Sequence, residues 1–431
     1  MRNSTLWQIT YSNLLLPTLL LGAKFSALKN QKTRATLAGQ EGLWERLEQQ
    51  VTNRDPSKPL LWFHVASAGE YLQAMPVMER FMAAGFQCAL TVTSITGYNW
   101  AQKRRAQYPD LVVADFIPLD TKPNIKRLIK LFQPRALVLV KFDLWPNAIW
   151  ESKKQNIPIY LISATLHMKS KRVTSRLGRS LYQSLYANID GIFTVSEDDK
   201  LRFLETCPEH QHVINVGDTR FDSVLDRRRQ VVAPDLPRFI KEKTVFLVGS
   251  SWPADEEHIN GPLIKALKTY KNLFLIIAPH ETDEPHLIAI EKAFSDFAVK
   301  RFTEISGESN EPFDVLVINT VGHLSALYTY ADLAYVGGAF GKGVHNVMEP
   351  SAMGTPTIVG PFYQNSPEAM DLIENGKCFS IRTEEDFSVL LNRFLQDDAL
   401  REKVGAEACN YIEQQAGASD KCFEFIKEGI A

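Results

Sequence analysis

The chain has 431 residues, with 48 Lys and Arg against 50 Asp and Glu, for a formal net charge of −2. That length is too great for one ordinary core and suggests two domains of roughly 200 residues each. A balance so near neutrality offers no basic excess for nucleic acid. Five scattered cysteines with no C-x-x-C pair support neither a zinc site nor a disulfide framework, and they suit a reducing cytosolic setting.

The first forty residues contain no Asp or Glu, the first acid being Glu41. An apolar block from Leu14 to Leu21, interrupted at Pro17 and Thr18, is followed by Lys24, Lys29, Lys32 and Arg34. Apolar sequence with cations just behind it suits an anchor lying on, or shallowly in, an anionic cytoplasmic leaflet. The uncharged stretch from Trp7 to Ala23 is barely long enough to span a bilayer, and Gln8, Asn13 and Pro17 weaken it. An ordinary core helix fits the same residues. No small-residue cleavage site marks a secretory signal. Residues 1–40 are read as a membrane-associating segment, with its geometry open.

Beyond it, short apolar runs alternate with helix-like stretches. Strands are expected at 60–65, 89–93, 112–117, 136–140, 157–162, 191–195 and 213–216, with amphipathic stretches such as 71–84 and 123–132 between them. Continuous apolarity and β-branched content suit parallel strands covered on both faces, and the alternation indicates βαβ units in a doubly wound sheet. The pattern pauses over 226–243, where Arg227-Arg228-Arg229, Pro234 and Pro237 interrupt it. That pause reads as an interdomain linker. A second series follows at 244–248, 273–278, 315–318, 333–336 and 355–359, and helices occupy the chain from 387 onward. The expected domains are 41–230 and 231–431, the last helix packing back on the first domain.

Polar residues gather at the predicted strand ends: Ser67 to Glu70, Ser94 to Gly97, Lys141 to Asn147, Gly249 to Trp252, and Pro279-His280-Glu281. Ligands of open α/β sheets bind outside those ends, so their recurrence in both halves argues for a cleft between domains. The richest motif is Gly341-Lys342-Gly343-Val344-His345-Asn346-Val347-Met348-Glu349-Pro350. A glycine loop between strand and helix brings amides to a phosphate, and a carboxylate one turn later can accept from two ribose hydroxyls. The same residues also fit a glycine-rich turn with a buried His and a Glu that complements a helix dipole. Neither G-x-x-x-x-G-K-[ST] nor G-x-G-x-x-G is present here.

Several motifs in order carry a resemblance to the 3-deoxy-D-manno-octulosonic acid (Kdo) transferases of lipopolysaccharide assembly. They are Phe63 to Glu70, Thr93 to Gly97, Asp143-Leu144-Trp145-Pro146-Asn147, Gly217 to Asp222, Gly249 to Pro253, and Tyr328 through the glycine loop to Gly360-Pro361. The resemblance implies a GT-B glycosyltransferase fold, two Rossmann-like domains with the nucleotide on the second and the acceptor on the first. It further implies Kdo transfer from CMP-Kdo to a lipid A precursor, with inversion, at the cytoplasmic face of the inner membrane. No metal and no cofactor beyond the donor is implied.

A sugar hydroxyl must lose its proton as it attacks, so a carboxylate base belongs on the acceptor side. Glu70 is assigned that role, with Asp143 beside it, although a capping carboxylate fits the same turn. Amides around Gly343, with His345 nearby and the hydroxyl of Ser250 or Ser251, are expected at the leaving phosphate. Asn346 and Glu349 are expected at the ribose, and Pro279-His280 at the base or phosphate. Where the family carries E-x-E-L-W-P-N this chain has Lys141 and Asp143, and where it carries A-P-R-H-P-E-R no arginine follows Pro279. Another GT-B transferase, an epimerase or a non-catalytic membrane-bound homologue are the competing readings.

Overall fold

The computed structural model describes residues 2–167, 170, 174–306 and 311–430. It divides into two compact units: Met1–Ser223 with Gln415–Ala431, and Val224–Gln414. In the first, β1 (Leu60–Val65), β2 (Gln87–Val92), β3 (Leu111–Phe116), β4 (Ala136–Val140), β5 (Ile159–Ala164), β6 (Gly191–Thr194) and β7 (Val213–Asn215) form one parallel sheet. The order is β3-β2-β1-β4-β5-β6-β7. Every residue of β1 to β6 is buried, because helices cover both faces and no strand can alternate polar with apolar. The chain winds outward from β1 to β3 and then returns to the other side of β1, so a topological switch lies between β1 and β4.

The second unit repeats the design with β8 (Thr244–Ser251), β9 (Leu273–Pro279), β10 (Val299–Arg301), β11 (Val315–Val317), β12 (Leu333–Val336), β13 (Thr357–Val359) and β14 (Cys378–Ser380). Its order, β10-β11-β9-β8-β12-β13-β14, puts the switch between β8 and β12. Strands β10 and β14 were not expected from sequence. Each is a three-residue edge strand, and Val299, Lys300 and Arg301 are all partly exposed, so neither carries the apolar run that two-sided burial imposes.

The expected pause over 226–243 is partly helical. Helix Thr219–Gln230 contains the division between units, and its arginine run pairs with carboxylates: Arg227 with Glu349 at 2.6 Å, Arg228 with Glu413 at 2.9 Å, Arg229 with Asp226 at 3.1 Å. Helix Ala418–Ile430 belongs to the first unit, where Asp222 accepts from the Gly417 and Ser419 amides at 2.8 and 3.1 Å.

At the N-terminus, helix Arg2–Thr10 continues through a π-helical turn, Tyr11–Leu15, into helix Leu16–Ala27. Tyr11 is buried with its ring edge-on to Trp150 and donates to Asp120 at 2.9 Å. Asp120 also accepts from the Asn147 and Ala148 amides, both at 3.0 Å. Burial pushes its carboxyl up to about 7 against the pull of these donors. Asp120→Ala would strand three buried donors, so it should lower the unfolding free energy by about 2–4 kcal/mol in urea titration. Because the folded carboxyl holds its proton more tightly than the unfolded one, its contribution is full at low pH and is lost as pH rises towards 7. Leu6, Ile9, Leu14, Leu19, Leu21, Phe25 and Leu28 stay exposed. No described helix is long and apolar enough to cross a membrane.

Candidate active site

Both switch points carry the residues singled out from sequence, and each has a non-glycine residue in left-handed backbone: Lys141 (φ 61°) after β4 and Ser250 (φ 54°) within β8. Strain of this kind concentrates at ligand sites. After β1, Ser67 caps helix Ala68–Ala83 by accepting from the Glu70 amide. Glu70 is 6% exposed, and its Oε2 accepts from the Ala66 amide. The turn-capping contact is therefore real, but it occupies one oxygen and leaves Oε1 without a hydrogen-bond partner among the described residues. Burial raises the Glu70 carboxyl; the Ala66 amide opposes this, Asp143 adds to it, and His64 and Lys141 pull it down. Shortened acid and substituted cation thus act on the base with opposite signs.

Asp143 is held by three donors on one oxygen: His64 Nε2 at 3.0 Å, Trp145 Nε1 at 3.0 Å and Thr93 Oγ1 at 3.4 Å. Its burial would raise the carboxyl, but the His64 contact, with Trp145 and Thr93, holds it below the usual range. His64 is fully buried, with Nδ1 2.9 Å from Thr91 Oγ1, which accepts from Trp62 Nε1 at 2.8 Å. Sequence pointed to the two carboxylates. The relay behind Asp143 escaped notice because His64, Thr91 and Trp62 sit inside strands that read as plain core.

In the second unit, fully buried Asp255 ties the ends of β8 and β12 together. It accepts from the Trp252, Gly338 and Phe340 amides at 2.9, 2.8 and 3.3 Å and from the Tyr335 hydroxyl at 2.9 Å. The two chains come so close that a Cβ on Gly337 would lie 2.3 Å from Ser250 O, and one on Gly338 (φ 96°) 2.5 Å from Gly343 O. Rings of Trp252 and His345 meet edge to edge, Trp252 Nε1 donating to His345 Nε2 at 3.0 Å. His280, just after β9, stacks on both, with centroids at 4.4 and 4.5 Å. A cavity of about 150 Å³ opens beside it, lined by Ser250, Pro279, His280, Thr282 and Thr320 among others.

Three expectations change. The amides of Gly343, Val344 and His345 bond to Gly338 O, Phe362 O and Gly337 O, so they close the loop on itself and are not offered to a phosphate. The helix after the loop, Met348–Ala352, has only five residues, too few to act as a dipole site, and Asn346 Oδ1 accepts from the Met348 amide at 3.0 Å. Ser251 is fully buried, its hydroxyl donated to Glu256 at 2.8 Å, which makes it scaffold, while Ser250 lines the cavity. Glu349 is present at the loop but paired with Arg227 at 2.6 Å.

Residues 41–223 match the family model for 3-deoxy-D-manno-octulosonic-acid transferase (kdotransferase). The 3-deoxy-D-manno-octulosonic acid transferase of Haemophilus influenzae is 23% identical over 431 residues, 98% of either chain. That of Chlamydophila psittaci is 27% identical over 379 residues, 86% of either chain. Over residues 41–223 the chain matches the Kdo transferase model, and Kdo transferases are similar to it over most of its length. It is a glycosyltransferase, and its two parallel-sheet units are the Rossmann-like pair of the GT-B fold. The fold is shared with UDP-GlcNAc 2-epimerase of Neisseria meningitidis, at a TM-score of 0.57 and 16% identity over 86% of this chain and all of that one.

Within the Kdo transferase family pattern, the Lys141 and Asp143 departures now have a place. Both follow β4 at the switch, with Asp143 fixed from behind and Lys141 acting electrostatically on Glu70. Asp255 was not singled out from sequence, and Trp252 only as the end of the Gly249 to Trp252 cluster. The available signal was Asp255 three residues after Trp252, at a helix start.

Proposed function

We propose that this glycosyltransferase moves Kdo from CMP-Kdo to a glucosamine hydroxyl of a lipid A precursor. The carrying observation is Glu70 at the β1–β4 switch: a carboxyl raised by burial, with one oxygen fixed by Ala66 and the other open. The acceptor oxygen attacks the anomeric carbon from the face opposite CMP, its proton passing to Glu70 Oε1. The new C–O bond forms as the bond to the phosphate oxygen breaks, which inverts the centre and releases CMP. Asp143, locked by His64 and Trp145, supplies a fixed negative charge that keeps the base avid for that proton. In the second unit, His345 serves the leaving phosphate and Glu349 with Asn346 the ribose. The cavity beside His280 takes the cytosine. Product mass after incubation with CMP-Kdo and a tetra-acylated lipid A precursor should show added Kdo. Turnover of a UDP-sugar with no product from CMP-Kdo would overturn the assignment.

The acceptor is a lipid, and the N-terminal segment suits a surface-lying anchor on the cytoplasmic leaflet of the inner membrane. One side docks through Tyr11 and Leu16 while Leu14, Leu21, Phe25 and Leu28 stay exposed beside Lys24, Lys29 and Lys32. The doubly substituted Leu21→Asp/Phe25→Asp chain should lose flotation with anionic vesicles while keeping transfer to a detergent-dispersed acceptor. Undiminished flotation would remove the segment from this role.

A further inference from the structure

The Gly343, Val344 and His345 amides are taken by backbone carbonyls, which leaves side chains a part in meeting charge on a leaving phosphate. His345 is the one whose orientation is most closely determined. Its Cδ2–Nε2 edge is enclosed: a Cβ on Gly338 would lie 2.8 Å from Cδ2 and 3.1 Å from Nε2. Trp252 Nε1 sits 3.0 Å from the same Nε2. An indole nitrogen only donates, so Nε2 must accept, and a neutral imidazole that accepts at one nitrogen carries its proton on the other. Nδ1 has no hydrogen-bond partner among the described residues and is not a buried orphan. His280, flat against the same rings, keeps His345 from tilting out of the Trp252 plane.

We propose that Trp252 is a positioning residue that fixes His345 as the neutral Nδ1–H tautomer, so that this N–H is the donor to the phosphate of the nucleotide. The proposal rests on the assignment of the second unit as the CMP-Kdo site and adds to it the residue that sets the donor's proton. The titratable and charged groups around His345 are His280 from the β9 turn, Asp255 from helix Pro253–Thr269, and Lys342 of the loop itself, whose ammonium lies 4.6 Å from the Trp252 ring centre. Burial holds the His345 imidazole below the usual histidine range, His280 adding to the effect and Asp255 opposing it. The neutral form is therefore the one present at neutral pH.

The test joins a spectroscopic readout to a binding one. Side-chain proton–nitrogen correlation spectra of the unliganded full chain at neutral pH should show His345 protonated at Nδ1 and bare at Nε2. Trp252→Phe keeps a ring for the stack and removes the donor, so the two tautomers should then mix. Calorimetric CMP titration should find this variant weaker by about two- to fivefold at pH 8, since affinity falls with the fraction of the competent tautomer. The deficit should shrink on acidification as imidazolium forms, because imidazolium donates from both nitrogens and the tautomer ceases to matter. Comparison with unsubstituted protein at each pH cancels the titration of CMP itself. A wild-type His345 protonated at Nε2 would overturn the proposal outright, and so would a CMP deficit of the same size at every pH. Absence of CMP binding by the unsubstituted chain would instead sink the donor-site assignment, and with it the ligand named here.

Discussion

Glu70→Ala should reduce transfer on the order of a thousandfold while CMP affinity, measured by calorimetry, stays within about twofold. General-base catalysis contributes roughly 10²–10⁴, and the groups that hold or shift the Glu70 carboxyl, Ala66, Asp143, His64 and Lys141, belong to the first unit. Equal loss of CMP binding, or transfer within a few-fold of normal, would remove Glu70 from the role. The pH profile gives a second check. The base must be ionised, and burial raises its carboxyl, so the acid limb of kcat/KM should lie above the ordinary glutamate range, with activity lost as pH falls through it. Lys141 opposes that rise. Removing its charge should therefore move the limb to higher pH. Asn is the replacement of choice, because Lys141 sits at φ 61° and Asn tolerates left-handed backbone. A limb that stays put or moves down would refute the coupling.

Glu349→Ala should raise the dissociation constant for CMP roughly ten- to a hundredfold and leave kcat for bound donor nearly unchanged. Hydrogen bonds to a charged group contribute about 1.5–3 kcal/mol, and the carboxylate is aimed before ligand arrives, its Oε1 held by Arg227 at 2.6 Å. Deoxyribose analogues localise the effect: 2′-deoxy-CMP should bind the unsubstituted protein less tightly than CMP does, and the Glu349→Ala variant should scarcely distinguish them. If the variant still prefers the ribonucleotide, Glu349 is a structural partner of Arg227 and the ribose lies elsewhere.

Two doubly wound units were legible because parallel strands covered on both faces leave long apolar runs, as in β1 and β4, where every residue is buried. Strands β10 and β14 left no such trace, being short and half covered. Glu70 and Asp143 were legible for a different reason. A carboxylate at a strand-to-helix turn stands out against apolar neighbours, whereas His64, Thr91 and Trp62 hide within strands and meet only when β1 and β2 lie in register, His64 opposite Thr91.

The glycine loop marks where local reading stops. From residue types, its amides looked available to a phosphate; folded, Gly343, Val344 and His345 donate to Phe362 and to the Gly337-Gly338 pair. Ser251 turned inward to Glu256 for the same kind of reason, a buried hydroxyl taking the nearest acceptor.

Sequence by itself determined the two-sheet architecture and carried the resemblance to Kdo transferases. These depend on periodicity and on motifs contiguous in the chain. Only the tertiary structure decided which atoms remain for a ligand. Each buried donor must find an acceptor, and partners such as Asp255 with Gly338, Trp252 with His345 and Arg227 with Glu349 are brought together by strand order and loop closure, across 83, 93 and 122 residues of chain.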